Sequence, residues 1–373
     1  MKILESSKYD RQERITWWDQ SALSSSKVLV VGAGALGNEI VKNLSLVGVG
    51  HITIVDMDLI EHTNLARCVF FRQGDEGKYK AEVLANSAKN LNSDISTSFF
   101  SVPVQKLGNA FLQNFDLVIA GLDNREARIW LGASLRRLGK VWIDGAIEGL
   151  MGKVQTFTPT GPCYACSMTD EEWKILAHRR SCSLLGIDEM IGGHTPTNAT
   201  TSSIIAGIET QEAIKYLVGK SELGAIENKI FRIIGEQMAT FLSVVDLDEN
   251  CPYHDDMVLP TKVYKLPRTL LEVWTELKLD SQEYISFYDD VVFIDPCTNC
   301  HTPPELGYAD LMAKVGTCKS CGETRQDRSF NRVRKDDLAS QVFLKKEYFP
   351  YSSLIKIESE NPYTVTLKVD INE

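Results

Sequence analysis

No apolar run in this chain approaches the roughly 20 residues needed to cross a bilayer as a helix, and the N-terminal stretch MKILESSKYDRQER lacks the apolar core that directs secretion. A membrane partner is therefore not expected, and a cytoplasmic location is. Positive charge is also short: 40 Lys and Arg stand against 50 Asp and Glu, a formal charge of −10, which argues against nucleic acid as the main partner. Internal repeats and low-complexity tracts are missing as well. Apolar content is not missing, since 43% hydrophobic residues and 9% aromatics can build a full core and exclude disorder throughout. A chain of 373 residues exceeds the usual single domain, so one large domain with a smaller appendage is expected.

The cysteines number nine, so they cannot all pair. Six of them fall in three Cys-x-x-Cys pairs, a spacing that suits a metal better than disulfides in a reducing compartment.

Along the chain, the β-branched run Lys27 to Val31 ends in glycine and leads into a helical pattern from Ala35 to Leu46. Further strands are read at Ile52 to Val55, ending at Asp56; at Leu117 to Ala120, ending at Gly121; and at Val141 to Ile143, ending at Asp144. Helices are read between them at Lys78 to Lys89 and Arg125 to Leu138. This alternation predicts an α/β fold with a doubly wound, Rossmann-like, mostly parallel sheet whose ligands sit beyond the carboxyl ends of the strands. After Met151 the pattern changes: a strand from Lys153 to Phe157, a loop-rich stretch from Gly161 to Thr197, a helix from about Thr200 to Val218 and a strand-like run from Lys229 to Val245. Around Leu259, Pro260 and Thr261 the core pattern stops, which predicts a large domain over 1–258 and a smaller one over 262–373.

Gly32, Gly34 and Gly37 form Gly-x-Gly-x-x-Gly after a strand and at the start of a helix, where backbone N–H groups and the helix dipole can receive phosphate. Asp56 ends the next strand, where a carboxylate can accept from ribose hydroxyls. A nicotinamide dehydrogenase would show the same features. The residues that follow separate the two readings, because neutral Asn64 with the cations Arg67 and Lys80 within one connection suits a triphosphate, whereas hydride transfer has little need of such positive charge. Asp123, in Gly121-Leu122-Asp123-Asn124, can hold a magnesium ion bridging phosphate oxygens; its alternative role is a helix N-cap before Arg125.

Tyr9-Asp10-Arg11-Gln12, Gly32-Ala33-Gly34-Ala35-Leu36-Gly37, Lys42-Asn43-Leu44, Asn64-Leu65-Ala66-Arg67 and Gly121-Leu122-Asp123-Asn124 together resemble the adenylation domain of ubiquitin-activating enzymes and their ThiF-type sulfur-carrier-activating relatives, over about residues 8–256. The resemblance implies that ATP is used, that Asp56 binds ribose, that Asn64, Arg67 and Lys80 engage phosphates and that Asp123 coordinates Mg2+. It implies a homodimer in which Arg11 reaches the partner's nucleotide site. Where that family usually has glutamine after the arginine, this chain has Cys68, read as a packing residue.

Cys163 and Cys166 have the spacing of one half of a tetrahedral metal site, and Cys251 and His254 that of the other; the resemblance supports pairing them into a closed structural Zn2+ site. Cys297 and Cys300, then Cys318 and Cys321 after 17 intervening residues, have zinc-ribbon spacing and predict a second structural Zn2+. Cys182 is left over, in His178-Arg179-Arg180-Ser181-Cys182-Ser183, where neighbouring positive charge favours the thiolate. In the family that the chain resembles, this crossing loop carries the catalytic cysteine of compact members, and the 29 residues between Cys166 and Pro196 leave no room for an inserted cysteine domain. The resemblance thus implies that Cys182 is the nucleophile for a thioester with a ubiquitin-like protein, which a conjugating enzyme would then accept. The compact plan also resembles activating enzymes of bacterial ubiquitin-like conjugation systems linked to antiphage defence. Two alternatives stay open: a sulfur-carrier adenylyltransferase without a stable thioester, and a non-catalytic half of a heterodimeric activating enzyme. The alternating residues of 335–373 predict a small sheet, read as a docking platform.

Overall fold

A computed structural model of the chain describes residues 7–169, 171–174, 196–220, 222, 226–254, 257–312 and 317–369. They fall into two units: the residues up to Val104 with Gln113–Met257, and Gln105–Leu112 with the residues from Val258 on.

The first unit begins with two short helices, α1 (Asp10–Glu13) and α2 (Gln20–Ser25), and then alternates as the sequence predicts: β1 (Lys27–Val31), α3 (Ala35–Val47), β2 (His51–Val55), α4 (Lys80–Leu91), β3 (Ser96–Phe100), the turn α5 (Val104–Leu107) at the unit boundary, β4 (Leu117–Ala120), α6 (Arg125–Arg137), β5 (Trp142–Glu148), β6 (Met151–Phe157), α7 (Ala199–Leu217), β7 (Lys229–Ile234) and β8 (Ala239–Val244). The sheet runs β3-β2-β1-β4-β5-β6-β7-β8, parallel as far as β5 and antiparallel beyond it. The expected α/β class holds, with a mixed sheet. Central β4 is buried along its whole length, which is why it reads as an unbroken apolar run and not as an alternation.

Three elements differ from the sequence reading. β3 was not expected, because its Ser-Thr-Ser-Phe-Phe sequence carries little apolar signal at a sheet edge. β5 runs on past Asp144 to Glu148, since its second half pairs with β6 in a hairpin. The run 229–245 is two strands, broken by a turn in which Met238 takes φ 50°.

In the second unit β9 (Val263–Lys265), α8 (Leu270–Leu277), β10 (Tyr284–Ile294), β11 (Glu305–Tyr308), β12 (Asp327–Val333), β13 (Ser352–Glu358) and β14 (Tyr363–Lys368) build a sheet of order β11-β10-β13-β14-β9, with β12 also on β10. Its core holds Trp274, Phe293 and Phe349, and Tyr308 meets Phe287 and Phe349 edge-on at 5.8 and 5.6 Å. Residues 105–112 belong to this unit by specific bonds: Lys106 Nζ donates to the carbonyls of Lys346, Glu347 and Phe349 at 2.9, 2.9 and 2.7 Å, and Asn109 Oδ1 accepts the Leu354 N–H at 2.7 Å. Among the described residues no helix is long and apolar enough to cross a membrane.

Candidate functional site

The carboxyl ends of β1, β2 and β4 carry the predicted nucleotide residues. Gly32 takes φ 99°, a left-handed conformation that favours glycine. A Cβ there would lie 2.6 Å from the Gly121 carbonyl oxygen, and one on Gly37 would lie 1.9 Å from that of Gly32, so two glycines are required by backbone meeting backbone. Gly34 differs: it is the N-cap position of α3, and a Cβ there would meet nothing within 4 Å. The space at Gly34, at the N-terminal end of the helix, is open, as a phosphate cradle requires. Buried Asn38 fixes the turn from below, its amide donating to the carbonyls of Ala33 at 2.9 Å and Gly34 at 3.1 Å while its oxygen accepts the Phe70 N–H at 3.1 Å.

Asp56 is joined to this turn. Its carboxylate accepts the Ala33 N–H at 2.7 Å and the Asp58 N–H at 2.8 Å; burial pushes its pKa up, against the pull of those two amides and of Lys80. Lys80 opens α4 and pairs with Asp58 at 2.8 Å. Burial works against its charge, but Asp58 and Asp56 outweigh it and raise the ammonium's pKa. Arg67 donates to the Thr63 carbonyl at 2.8 Å. Asn64 is buried with its carboxamide oxygen engaged by the Glu61 N–H at 2.9 Å in a reciprocal capping box. Cys68 lies in the core, its pKa pushed up to about 11 by burial despite the nearby Arg67 and Lys80, which makes it a poor nucleophile and a packing residue.

Asp123 is exposed two residues beyond Gly121 and takes no hydrogen bond or ion pair among the described residues. The N-cap role weighed for it belongs to Asn124, whose side chain accepts from the N–H groups of Glu126 and Ala127. Beneath the loop lies a pair that sequence reasoning missed: buried Arg128 pairs with buried Asp144 at 2.9 Å and donates to the carbonyls of Leu122 and of Gly145, the latter at 3.1 Å. Removing one partner of such a pair typically costs about 3–5 kcal/mol, because the other charge is left buried alone. Arg11 is exposed and makes no ion pair or hydrogen bond among the described residues. Its neighbour Gln12 anchors the segment by donating to the Val47 carbonyl at 3.0 Å and to Gln20 at 2.8 Å.

Both predicted metal sets assemble. Cys163, Cys166, Cys251 and His254 bring their ligand atoms within 4.8 Å of one another, as do Cys297, Cys300, Cys318 and Cys321. In the first set Cys163 Sγ is 3.7 Å from Cys166 Sγ and 3.6 Å from Cys251 Sγ, and Cys166 Sγ is 3.2 Å from His254 Nε2. In the second, Cys297 and Cys321 are 3.6 Å apart and Cys300 and Cys318 3.4 Å. A tetrahedral ion with bonds of about 2.3 Å needs sulfurs about 3.8 Å apart, so both donor sets fit a closed four-coordinate metal. Each knuckle of the second set turns through a left-handed residue after its last cysteine, His301 at φ 56° and Gly322 at φ 76°. Buried Arg325 braces it through the carbonyls of Asp295 and Pro303, both at 2.7 Å. Cys182, with His178, lies outside the described residues.

A sequence model of the ThiF family matches residues 9–253. The chain is 38% identical over 151 residues to the NEDD8-activating enzyme E1 catalytic subunit of Schizosaccharomyces pombe (39% of this chain, 34% of that one). It is 36% identical over 170 residues to the SAMP-activating enzyme E1 of Haloferax volcanii (44% and 63%) and 32% identical over 211 residues to a probable molybdopterin-synthase adenylyltransferase of Porphyra purpurea (56% and 52%). It thus spans between about a third and under two thirds of the length of these relatives. Among solved structures, E. coli MccB with ATP superposes with a TM-score of 0.56 at 22% identity, covering 68% of this chain and 75% of that one, a likeness of fold.

Proposed function

The chain belongs to the ThiF family, and on that premise we propose that it adenylates the C-terminal carboxylate of a ubiquitin-like protein with ATP and then carries the acyl group as a thioester on Cys182. The observation that carries the reading is the grouping of the open Gly34 turn, the Asp56 carboxylate and two cations, Lys80 and Arg67, at the carboxyl ends of the parallel strands. The turn receives phosphate, Asp56 the ribose, and Arg67 and Lys80 the charge that develops on the α-phosphate and pyrophosphate. Asp123 would hold Mg2+, which neutralises phosphate oxygens when bound. Asn64 adds a polar contact from its amide.

In the first step a carboxylate oxygen of the modifier forms a bond to the α-phosphorus as the bond to the bridging oxygen breaks, and pyrophosphate leaves. An ionised carboxylate needs no protein base, so catalysis is positioning and charge stabilisation. In the second step the Cys182 thiolate attacks the acyl carbon, the C–S bond forms, and AMP leaves with the electron pair of the broken C–O bond. A conjugating enzyme would then take the acyl group by thiol exchange. The two thiolate-rich sets are read as structural Zn2+ sites that leave no position for a reacting water. A homodimer in which Arg11 completes the partner's site, a docking role for the C-terminal unit and a place in bacterial antiphage defence belong to the same reading.

The likeness to a relative named as a molybdopterin-synthase adenylyltransferase, matched over 56% of this chain, favours a second reading, in which the same adenylate passes to a sulfur donor without a stable thioester. A non-reducing gel separates the two. Wild type and Cys182→Ala are each incubated with MgATP and a candidate ubiquitin-like protein. A reducible shifted band in wild type alone supports the thioester; no band with pyrophosphate still released supports the sulfur-carrier reading; no pyrophosphate at all contradicts both.

A further inference from the structure

Each half of the Cys163/Cys166/Cys251/His254 set encloses an aromatic residue between its ligands, Tyr164 in one and Tyr253 in the other. Both lead to the start of α6. The Tyr164 ring lies 5.8 Å from the Arg128 guanidinium, the group that also holds the Leu122 and Gly145 carbonyls and the Asp144 carboxylate. Tyr253 stacks on Trp173 with centroids 6.0 Å apart and planes at 13°, and the neighbouring Glu172 pairs with Arg125, the first residue of α6, at 3.0 Å. Asp123 sits between the backbone that Arg128 grips at Leu122 and the Asn124 cap of that same helix. Two separate routes therefore run from the metal-ligand turns, one to Leu122 and one to Arg125, the residues that bracket Asp123 and Asn124.

We propose that Arg128 and Tyr164 are positioning residues that brace the Gly121–Asn124 loop against the Cys163–Cys166 turn, with Glu172–Arg125 as a second brace, so that this ligand set fixes Asp123 for magnesium-bound nucleotide in addition to holding its own fold. The inference rests on the reading that the loop borders the nucleotide. A guanidinium is suited to the task because its planar fork reaches a carboxylate, two carbonyls and an aromatic face at once, which a lysine ammonium cannot do. Its buried pairing with Asp144 fixes the fork's direction.

The test is calorimetric binding of ATP to the full chain across a magnesium titration, with AMP in the absence of magnesium as the control and zinc content measured for every variant. Arg128→Lys, Tyr164→Leu and Glu172→Gln are expected to weaken ATP binding in magnesium by about tenfold or more and to raise the magnesium needed for half-maximal binding. AMP affinity and zinc content should stay within about twofold, and Tyr164→Phe, which keeps the ring but removes the hydroxyl that also supports the Arg128 charge, should lose less than Tyr164→Leu. Where Arg128→Lys does not fold, Tyr164→Leu and Glu172→Gln decide. An unchanged magnesium requirement in folded variants overturns the inference, and so does an equal loss of AMP, which marks a general structural role. A wild type that binds no ATP in magnesium removes the nucleotide reading itself, and the inference with it.

Discussion

Gly34 and Gly37 lie three residues apart in one motif, and their surroundings predict opposite consequences for the same substitution. At Gly34 the backbone is extended (φ −74°, ψ −156°) and an added Cβ meets nothing within 4 Å. Gly34→Ala gives up some N-cap preference, up to about 1 kcal/mol, and gains about 0.4–1 kcal/mol from a less flexible unfolded chain, so net stability should change by less than about 1 kcal/mol. Its methyl group nevertheless projects into the space where a phosphate would approach the helix N-terminus. Loss of one charge-assisted hydrogen bond there, about 1.5–3 kcal/mol, corresponds to roughly a 10- to 150-fold loss of ATP affinity. At Gly37 the methyl would lie 1.9 Å from the Gly32 carbonyl oxygen, and the obstacle is backbone, so relief requires the turn itself to move. Gly37→Ala should therefore cost about 3 kcal/mol of stability as well as nucleotide binding. Thermal melts and ATP calorimetry on both variants make the comparison. A Gly34→Ala protein that melts as wild type and binds ATP as tightly would refute the cradle and reduce the glycines to a packing turn.

Asp123→Ala should leave the melting temperature within about 3 °C, because the side chain is exposed, yet abolish pyrophosphate exchange; residual exchange above a tenth of wild type, on the order of 1.4 kcal/mol, would move magnesium binding elsewhere. Against a chromophoric chelator the C-terminal set should release zinc first, since Cys300 and Cys321 are exposed whereas Cys163 and Cys251 are buried, and Cys300→Ser should remove the fast phase only. Glu209 is wholly buried, both its oxygens lack a partner among the described residues, and burial followed by the charge of Asp144 pushes its pKa well above the ordinary range. A raised folded-state pKa gives stability that is full below the ordinary glutamate value of about 4.3 and is lost as pH rises toward the folded value, at up to about 1.4 kcal/mol per pH unit. Glu209→Gln should flatten that decline in denaturant titrations from pH 5 to 8; an unchanged slope would mean the group is ionised in the fold.

The parallel half of the sheet was legible because buried strands write themselves as apolar runs that stop at glycine or aspartate, as Val28–Gly32 and Leu117–Gly121 do. The metal sets were legible from spacing alone within each half. What escaped were residues whose meaning depends on a partner distant in sequence. Arg128 lies in line with Leu131 and Leu135 on the buried face of α6, and an arginine on an apolar stripe was the available signal, but only the fold supplies Asp144 and the Leu122 carbonyl as its reason. Asn38 likewise follows the glycine motif directly, and its bracing of Ala33 and Gly34 appears once α3 is in place. Asn64 shows the converse: a side chain assigned wholly to phosphate gives its oxygen to a local cap.

The most direct test of the account is exchange of labelled pyrophosphate into ATP by the purified chain, with a candidate ubiquitin-like protein and with the same protein bearing a C-terminal amide. The account predicts exchange that requires the free carboxylate and magnesium and survives Cys182→Ala. Exchange that is indifferent to the carboxylate, or that vanishes with Cys182→Ala while the variant remains folded, would contradict it.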